Sequence, residues 1–133
     1  MDSTEIELTT GTTLVTDLTA HAERFCAGRG DGLLHVFVPH ATAGLALIET
    51  GSGTEPDLAD ALARLLPRED VYRHRHGSRG HGGDHVMPAF VAPSMTLPVL
   101  GGRIALGTWQ SLVLVDPNDD NPRRRVRLSF LAG

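Results

Sequence analysis

The sequence feature that most constrains the fold is a pair of apolar runs joined by Gly101-Gly102. The run PSMTLPVL precedes the two glycines, and the run RIALGTWQ follows them. Apolar runs that flank a Gly-Gly pair are typical of a β-hairpin, because glycine adopts the positive φ angles of a tight turn without steric cost. Such a hairpin offers later strands an edge to pair with. The sequence therefore predicts an antiparallel sheet built around residues 95–106.

Short apolar stretches elsewhere have the length and composition of further strands. With the hairpin, the predicted strands span residues 5–10, 33–39, 45–49, 95–99, 103–106, 110–116 and 125–131. Helical spacing of apolar residues predicts two helices. The first is capped by Thr16 and ends at Gly28, and the second starts at the capping box Thr54-x-x-Asp57. Few helices and many strands predict an α+β fold with antiparallel sheets and about two covering helices.

Length and composition narrow the class of protein. The chain of 133 residues is expected to form a single domain over residues 1–133. Its net charge of −4 argues against nucleic acid as a partner, since phosphate neutralisation needs a basic face. No stretch approaches the ~18 apolar residues of a membrane span, and the start MDSTEIELTT lacks signal-peptide features. We therefore expect a cytoplasmic protein that does not contact membranes. Every basic residue is arginine, which excludes Schiff-base chemistry by lysine.

One segment, residues 68–84, lacks periodicity and is rich in histidine, arginine and glycine. Its histidines, with the one that follows it, are His74, His76, His81 and His85, and arginines among them are Arg73, Arg75 and Arg79. A long polar loop in a compact domain is usually functional or mobile. Three interpretations stay open: a metal site made by the imidazoles, a phosphate site made by the arginines and glycine N–H groups, or a solvated loop.

Other candidate residues lie at predicted strand ends, where site residues are usually presented. His40 follows Pro39 and precedes small residues that leave room around its ring, and Glu49 closes the next strand. Three neutral imidazoles with a nearby carboxylate are a common catalytic zinc arrangement, although the spacing is neither HExxH nor a Cys/His finger. Gln110 is a candidate for substrate contact, since a buried amide needs partners.

A basic run near the C-terminus comprises Arg123, Arg124, Arg125 and Arg127. Charged residues of this kind protect an exposed edge strand from pairing with other chains. We interpret the run in this way, and anion binding is the alternative.

The motifs together carry a family resemblance. They are HATAGLALIE at residues 40–49, YRH at 72–74, the loop that ends at His85, PSMTLPV at 93–99 and GGRIALGTWQ at 101–110. In this order and over nearly the whole chain they resemble the YjbQ-like family, many of whose members are described as secondary thiamine-phosphate synthases. The resemblance implies antiparallel sheets packed as a sandwich, and a homotrimer with sites near subunit interfaces.

The resemblance also implies a set of site residues. The recurrent histidines of the family fall on His40, His74 and His85, and its acidic position falls on Glu49. Such histidines gather a divalent metal such as zinc, with magnesium the alternative, and His40, Glu49 and His85 would take catalytic roles. The chain departs from relatives before His85, where His81-Gly82-Gly83-Asp84 replaces their Asn-x-Asp-x pattern, and at Met87, where relatives often carry a basic residue.

The activity implied is transfer of the thiamine-phosphate synthase kind. A pyrimidine methyl diphosphate is joined to a thiazole phosphate, and diphosphate is released. Arg73, Arg75 and Arg79 are the candidates for holding phosphates, so the expected partner is a small phosphorylated metabolite. Two alternatives use the same residues: a trimeric metal- or anion-binding protein whose synthase activity is incidental, and a metal-dependent hydrolase of a small phosphorylated metabolite.

Overall fold

Two antiparallel sheets form the frame of the structure, a computed structural model that describes residues 1–69, 71–74, 77–78, 80–120 and 122–133. In chain order the strands are β1 (Asp2–Thr9), β2 (Val15–Asp17), β3 (Gly32–Phe37), β4 (Gly44–Ile48), β5 (Ser94–Leu100), β6 (Arg103–Ile104), β7 (Ser111–Val115) and β8 (Arg123–Ala132). The helices are α1 (Thr19–Cys26), α2 (Thr54–Leu65) and α3 (His81–Val86), and a 3-10 helix spans Met87–Ala89. The predicted α+β class is confirmed, with one α-helix more in the described ranges than expected.

The larger sheet has the strand order β1-β8-β3-β5-β6, and the smaller one has the order β2-β7-β4. The predicted hairpin is confirmed, since β5 and β6 pair antiparallel with Val99 opposite Ile104. Gly101 and Gly102 turn the chain there with φ angles of 58° and 77°. The hairpin attaches to the earlier strand β3, whereas the last strand, β8, pairs with β1 and β3. The hairpin therefore extends the sheet at one side and does not pair with the strand that ends the chain.

The main core is built from the residues that alternate strands turn inward. Leu34 and Val36 of β3 are fully buried, as is Val126 of β8. They pack in one cluster with Leu112 and Leu114 of β7, which belongs to the smaller sheet. The two sheets thus share a single apolar interior.

A second apolar cluster lies on the other face of β7 and packs against the residue that follows α3. Val113 and Val115 of β7 pack there with Met87, which directly follows α3. Leu58 and Leu62 of α2 cover this cluster, which confirms that α2 packs on one face of a sheet. None of the described helices is long and apolar enough to cross a membrane.

Both predicted helix caps are wrong in detail. Thr16 lies in β2, opposite Leu114 of β7, because strand pairing extends two residues further than the apolar pattern suggests. Asp17 takes over near the start of α1, where its Oδ1 accepts a hydrogen bond of 2.8 Å from the backbone N–H of Thr19. The start of α2 makes no side-chain capping bond and follows a glycine at φ 92°.

The segment 68–84 is not without regular structure, because α3 begins inside it at His81. Gly82 and Gly83 hide this helix from a sequence-based analysis, since glycine is a poor helix former. Both glycines pack against the ring of Tyr72: a Cβ on Gly82 would lie 2.5 Å from the Tyr72 Cβ, and one on Gly83 would lie 2.8 Å from its hydroxyl. Close packing rather than helix propensity therefore fixes α3.

Gly44 should be intolerant of any side chain. It is the first residue of β4. The next residue, Leu45, donates its backbone N–H to the carbonyl of Ala92 at 2.8 Å, which holds the segment after α3 beside β4. A Cβ on Gly44 would lie 1.9 Å from the backbone oxygen of Val91. Gly44→Ala should cost at least about 1–3 kcal/mol of unfolding free energy, because backbone must move to admit the methyl group. Urea unfolding measures the loss.

The matched control is Gly107→Ala. A Cβ at Gly107 would lie 3.3 Å from the Gln110 side-chain oxygen, which is the end of a flexible side chain. This variant should unfold near the wild-type urea concentration. Equal destabilisation by the two substitutions would contradict the close approach of the two backbones at Gly44.

Candidate metal centre

Three imidazole rings converge beside α3. His81 and His85 lie four residues apart on this helix, so their side chains share one face, and their Nε2 atoms are 2.9 Å apart. The ring of His74 lies with its centroid 4.2 Å from that of His85 and 5.3 Å from that of His81. One ring nitrogen from each histidine lies within 4.8 Å of the other two. The three rings therefore surround a common point.

Local packing brings His74 to this point. The Tyr72 ring packs on the two glycines of α3, and its hydroxyl donates a hydrogen bond of 2.8 Å to the carbonyl of Pro67. Asp84, on α3, is 2% exposed and accepts a hydrogen bond of 2.8 Å from Arg68. Burial raises the pKa of Asp84, while Arg68 acts in the opposite direction. These contacts fix α3 against the segment before it, and His74 is only two residues beyond the tyrosine anchor.

The far side of the His81 ring meets two polar groups of the β7–β8 connection. Its Nδ1 lies 2.9 Å from the side-chain nitrogen of Asn118 and 3.1 Å from Oδ2 of Asp120. The backbone N–H of Ser78 also donates to Oδ2 of Asp120, at 3.0 Å, and this bond is the main reason that the pKa of Asp120 is lowered. Asp120 is therefore a carboxylate at neutral pH.

These two neighbours favour different tautomers of His81. When Nδ1 is bare it accepts the amide hydrogen of Asn118, and Nε2 carries a proton toward His85. When Nδ1 carries the proton it donates to the carboxylate of Asp120, and the lone pair of Nε2 points toward the other two rings. Asp120 thus favours the tautomer in which Nε2 of His81 has a lone pair toward the other two rings.

The arrangement fits a zinc ion in its dimensions and donor types. Zinc–nitrogen bonds of ~2.0–2.1 Å in a tetrahedron place ligand nitrogens about 3.3 Å apart. The observed separations, from 2.9 Å to at most 4.8 Å, bracket that value. Neutral imidazole suits zinc, whereas magnesium prefers oxygen ligands in an octahedron. A carboxylate behind a ligating histidine, as Asp120 is placed here, is also the usual support for such a ligand.

His40 lies apart from the three rings, beyond the end of β3. Its Nε2 accepts a hydrogen bond of 2.9 Å from the backbone N–H of Arg125. The surrounding pocket has a volume of about 810 Å³ and is lined by Glu7, Leu8, Thr9, His40, Arg123, Arg124 and Arg125. Burial lowers the pKa of His40, and the positive charges of Arg124 and Arg125 lower it further. Within the described part of one chain, His40 is not grouped with the other three histidines. Its role as a metal ligand stays a prediction.

The other predicted residues fall in several places. Glu49 is exposed between β4 and α2, and Arg73 is exposed beside His74. Gln110 is exposed too, and its side-chain oxygen accepts a hydrogen bond of 2.8 Å from the backbone N–H of Gly107. Arg75, His76 and Arg79 lie outside the described residues. The expected burial of Gln110 is wrong, because its side chain is exposed. The catalytic role of Glu49 and the substrate contacts of the arginines and Gln110 stay predictions.

Sequence reasoning missed Asn118 and Asp120, which belong to the stretch PNDDNP that predicts only a turn. Their partner His81 is 37 residues away from Asn118, so no local spacing connects them. The sequence left open which loop histidine faces the site. Among the described residues, the answer is both His74 and His81.

The frame and the site together define a small α+β protein with three clustered imidazoles, two of them on a short helix. The chain belongs to the UPF0047 YjbQ-like family, because the model of that family matches residues 4–133. The predicted family is thereby confirmed. A UPF0047 protein of Mycobacterium tuberculosis, Rv2556c, is 61% identical over 133 residues, and the match covers 100% of both chains.

Solved structures show the same fold. The hypothetical protein APE1520 from Aeropyrum pernix K1 superposes with a TM-score of 0.89 at 29% identity, and the match covers 100% of both chains. A YbjQ-like protein of unknown function from Sulfolobus solfataricus P2, SSO2532, has a TM-score of 0.91 at 21% identity, covering 99% of this chain and 97% of that one. The second likeness shows the fold alone.

The lowered pKa of His40 predicts that mild acid destabilises the fold. The unfolded chain takes up the proton near the ordinary histidine pKa of about 6.5, whereas the folded state resists it to lower pH. This contribution to stability is therefore complete above about pH 7 and is lost as the pH falls below about 6.5. Urea unfolding of metal-free protein at about pH 7.5 and about pH 5.5 measures it. His40→Gln should show the smaller decrease, and equal decreases in both proteins would refute the assignment.

Proposed function

We propose that this protein is a zinc-dependent enzyme that acts on a phosphorylated small metabolite, with the metal held by His74, His81 and His85. The observation that carries the proposal is the convergence of one ring nitrogen from each histidine within 4.8 Å. Three neutral imidazoles leave a fourth position open, which is the pattern of catalytic rather than structural zinc. When bound, zinc stabilises negative charge that develops on the oxygens of a departing phosphate or diphosphate.

In this proposal, Asp120 keeps a proton on Nδ1 of His81, so that Nε2 of the same ring can bind the metal. Asp120 accepts the Nδ1 proton of His81 and so leaves the Nε2 lone pair facing the other rings. The same oxygen, Oδ2 of Asp120, also accepts the backbone N–H of Ser78, which keeps the carboxylate in place. Such supporting carboxylates typically contribute ~10–100-fold to metal affinity.

The space available favours substrate binding in the pocket around His40. Its volume of about 810 Å³ lies within the ~300–1,000 Å³ of typical small-molecule sites. A second cavity, behind α3 and lined in part by Leu62, Asp84 and Met87, has a volume of only about 230 Å³. The smaller cavity lies below that range.

The reaction we propose is transfer of the thiamine-phosphate synthase kind, as the family resemblance implies. The ring nitrogen of a thiazole phosphate uses its lone pair to form a bond to the methylene carbon of a pyrimidine methyl diphosphate. The carbon–oxygen bond breaks at the same centre, and diphosphate leaves with the electron pair. The enzyme therefore has to hold two anionic substrates and stabilise a leaving anion, which positive side chains and a metal ion do.

We also propose that the working form is a homotrimer. Apolar side chains on the outer face of the larger sheet support assembly: Leu33 is 44% exposed and lies opposite both Leu131, which is 55% exposed, and Pro98. An exposed apolar patch of neighbouring strands is typical of a protein interface. In a trimer the sites of neighbouring chains would lie near the subunit interfaces, as the family resemblance implies.

Metal binding should depend on Asp120 and not on its neighbour. Asp120→Asn should weaken zinc binding by about 10–100-fold, because the neutral amide no longer favours the ligating tautomer of His81. Asp119→Asn is the matched control and should bind zinc as the wild type does, since Asp119 lies on the wall of the smaller cavity. Competition with a chelating dye measures both affinities.

His81→Gln should remove zinc binding at this site altogether. The proposal fails if the purified wild-type protein takes up less than about one zinc ion per chain, or if His81→Gln retains it. Circular dichroism of each variant checks that the fold is intact.

The reaction is tested by diphosphate release. The wild-type protein should release diphosphate from the pyrimidine substrate only when the thiazole phosphate is present, and His81→Gln should lose this activity. His21→Gln is the matched control, because His21 lies on α1, where its Nδ1 is 3.2 Å from the Arg24 side chain and outside both the imidazole cluster and the proposed interface. Release without the thiazole partner would identify a hydrolase instead. Absence of release from the wild type would exclude both reactions for these substrates.

A further inference from the structure

We propose that the pocket around His40 binds a phosphate or diphosphate group through Arg123, Arg125 and the Nδ1–H of His40. The inference deepens the proposed function and rests on it only in naming phosphate as the anion. From the sequence, phosphate contacts are predicted on the arginines of residues 73–79, and the basic run at residues 123–127 is interpreted as protection of an edge strand, with anion binding as the alternative. The edge-strand interpretation is wrong, because β8 lies between β1 and β3. The site proposed here lies instead at the start of β8, next to the end of β1.

The hydrogen bonding of His40 turns one proton toward the pocket. Its Nε2 accepts the backbone N–H of Arg125 at 2.9 Å, so a neutral ring must carry its proton on Nδ1. No hydrogen bond joins that nitrogen to the residues that the structure describes. His40 lines the pocket, and its Nδ1–H is therefore a donor to a bound anion.

The arginines around this donor differ in how closely they are paired with carboxylates. Arg124 is 2% exposed and forms a buried ion pair with Asp116, so its charge is matched within the protein. The guanidinium of Arg125 is 3.5 Å from Glu5, whose other oxygen receives a closer contact of 3.0 Å from Arg127. The Arg125 side chain is 52% exposed. Arg125 is thus held loosely, and it gains a stronger partner when a phosphate arrives.

The local field has the sign that an anion requires. Burial lowers the pKa of His40, the positive charges of Arg124 and Arg125 lower it further, and the negative charges of Asp116 and Glu5 act in the opposite direction. Besides Arg124, whose charge is matched by Asp116, the pocket is lined by two arginines, Arg123 and Arg125, and by one carboxylate, Glu7. Arg123 is exposed and lies opposite Thr9 on β1. Its planar guanidinium suits a bidentate contact with phosphate oxygens.

A continuous chain of contacts connects this pocket with the candidate metal centre. Arg125 bonds to His40, and its neighbour Arg124 is paired with Asp116. Oδ1 of Asp116 accepts the backbone N–H of Asn118 at 3.1 Å, and Asn118 contacts His81 at 2.9 Å. A phosphate in the pocket would therefore be held by the same structural unit that supports the imidazole cluster.

The test is calorimetric titration of metal-free protein with inorganic pyrophosphate. The wild type should bind, and Arg125→Gln should weaken binding by about tenfold or more, because a charge-assisted contact is lost. Glu7→Gln should tighten binding severalfold, since it removes the negative charge from the pocket wall. Arg103→Gln is the control for general charge effects: Arg103 is exposed at the hairpin, outside the pocket, and this variant should bind as the wild type does.

A second readout locates the anion. The ring ¹H–¹⁵N signals of His40, assigned by comparison with His40→Gln, should shift on addition of pyrophosphate, whereas those of His35 should not. The inference is overturned if wild-type protein does not bind, if all variants bind alike, or if the His40 signals stay unchanged. Because metal is absent throughout, a failure here leaves the zinc proposal standing, and a failure to bind zinc leaves this result unaffected.

Discussion

A buried ion pair between Asp116 and Arg124 connects the parts of this molecule that bear on its chemistry. Asp116 directly follows β7 and Arg124 lies near the start of β8, and their side chains are only 1% and 2% exposed. A second contact of 3.2 Å makes the pair bidentate. Removing one partner of such a buried pair commonly costs about 3–5 kcal/mol, because the other charge is left without compensation. The pair therefore sets the course of the connection between the two strands, and with it the position of Asn118 and Asp120.

The ion pair between Asp116 and Arg124 positions different groups toward α3 and toward β1. Toward α3 it anchors the connection whose polar groups contact His81, so the tautomer of that ring depends on groups far away in the sequence. Toward β1 it places the backbone N–H of Arg125 opposite His40 and keeps a positive charge near this ring. One imidazole cluster and one arginine-lined pocket thus share a common support. Among the residues that the structure describes, the three-ring cluster is the one with the donor set of a metal centre.

The parts of the fold that were predictable from sequence are those in which a local pattern decides the outcome. The apolar runs around Gly101-Gly102 form the expected hairpin, and α2 covers a sheet because its leucines repeat at helical spacing. Two kinds of feature were not predictable. Cap residues depend on how far a neighbouring strand extends, as Thr16 shows. Long-range contacts such as Asn118 with His81 leave no trace in local spacing, so the turn PNDDNP gave no sign of a role in the site.

The packing of Tyr72 on Gly82 and Gly83 has a consequence for the energetics of the whole chain. A helix of six residues with two glycines cannot form in isolation, since nucleation is costly and each glycine adds about 1 kcal/mol. The i, i+4 pairing of His81 and His85 therefore exists only when the tyrosine, the ion pairs and the second core are in place. Any ligand of the three rings consequently binds the folded state in preference to the unfolded one. Ligand affinity and folding are thus thermodynamically linked, and occupancy of this helix would raise the stability of the protein as a whole.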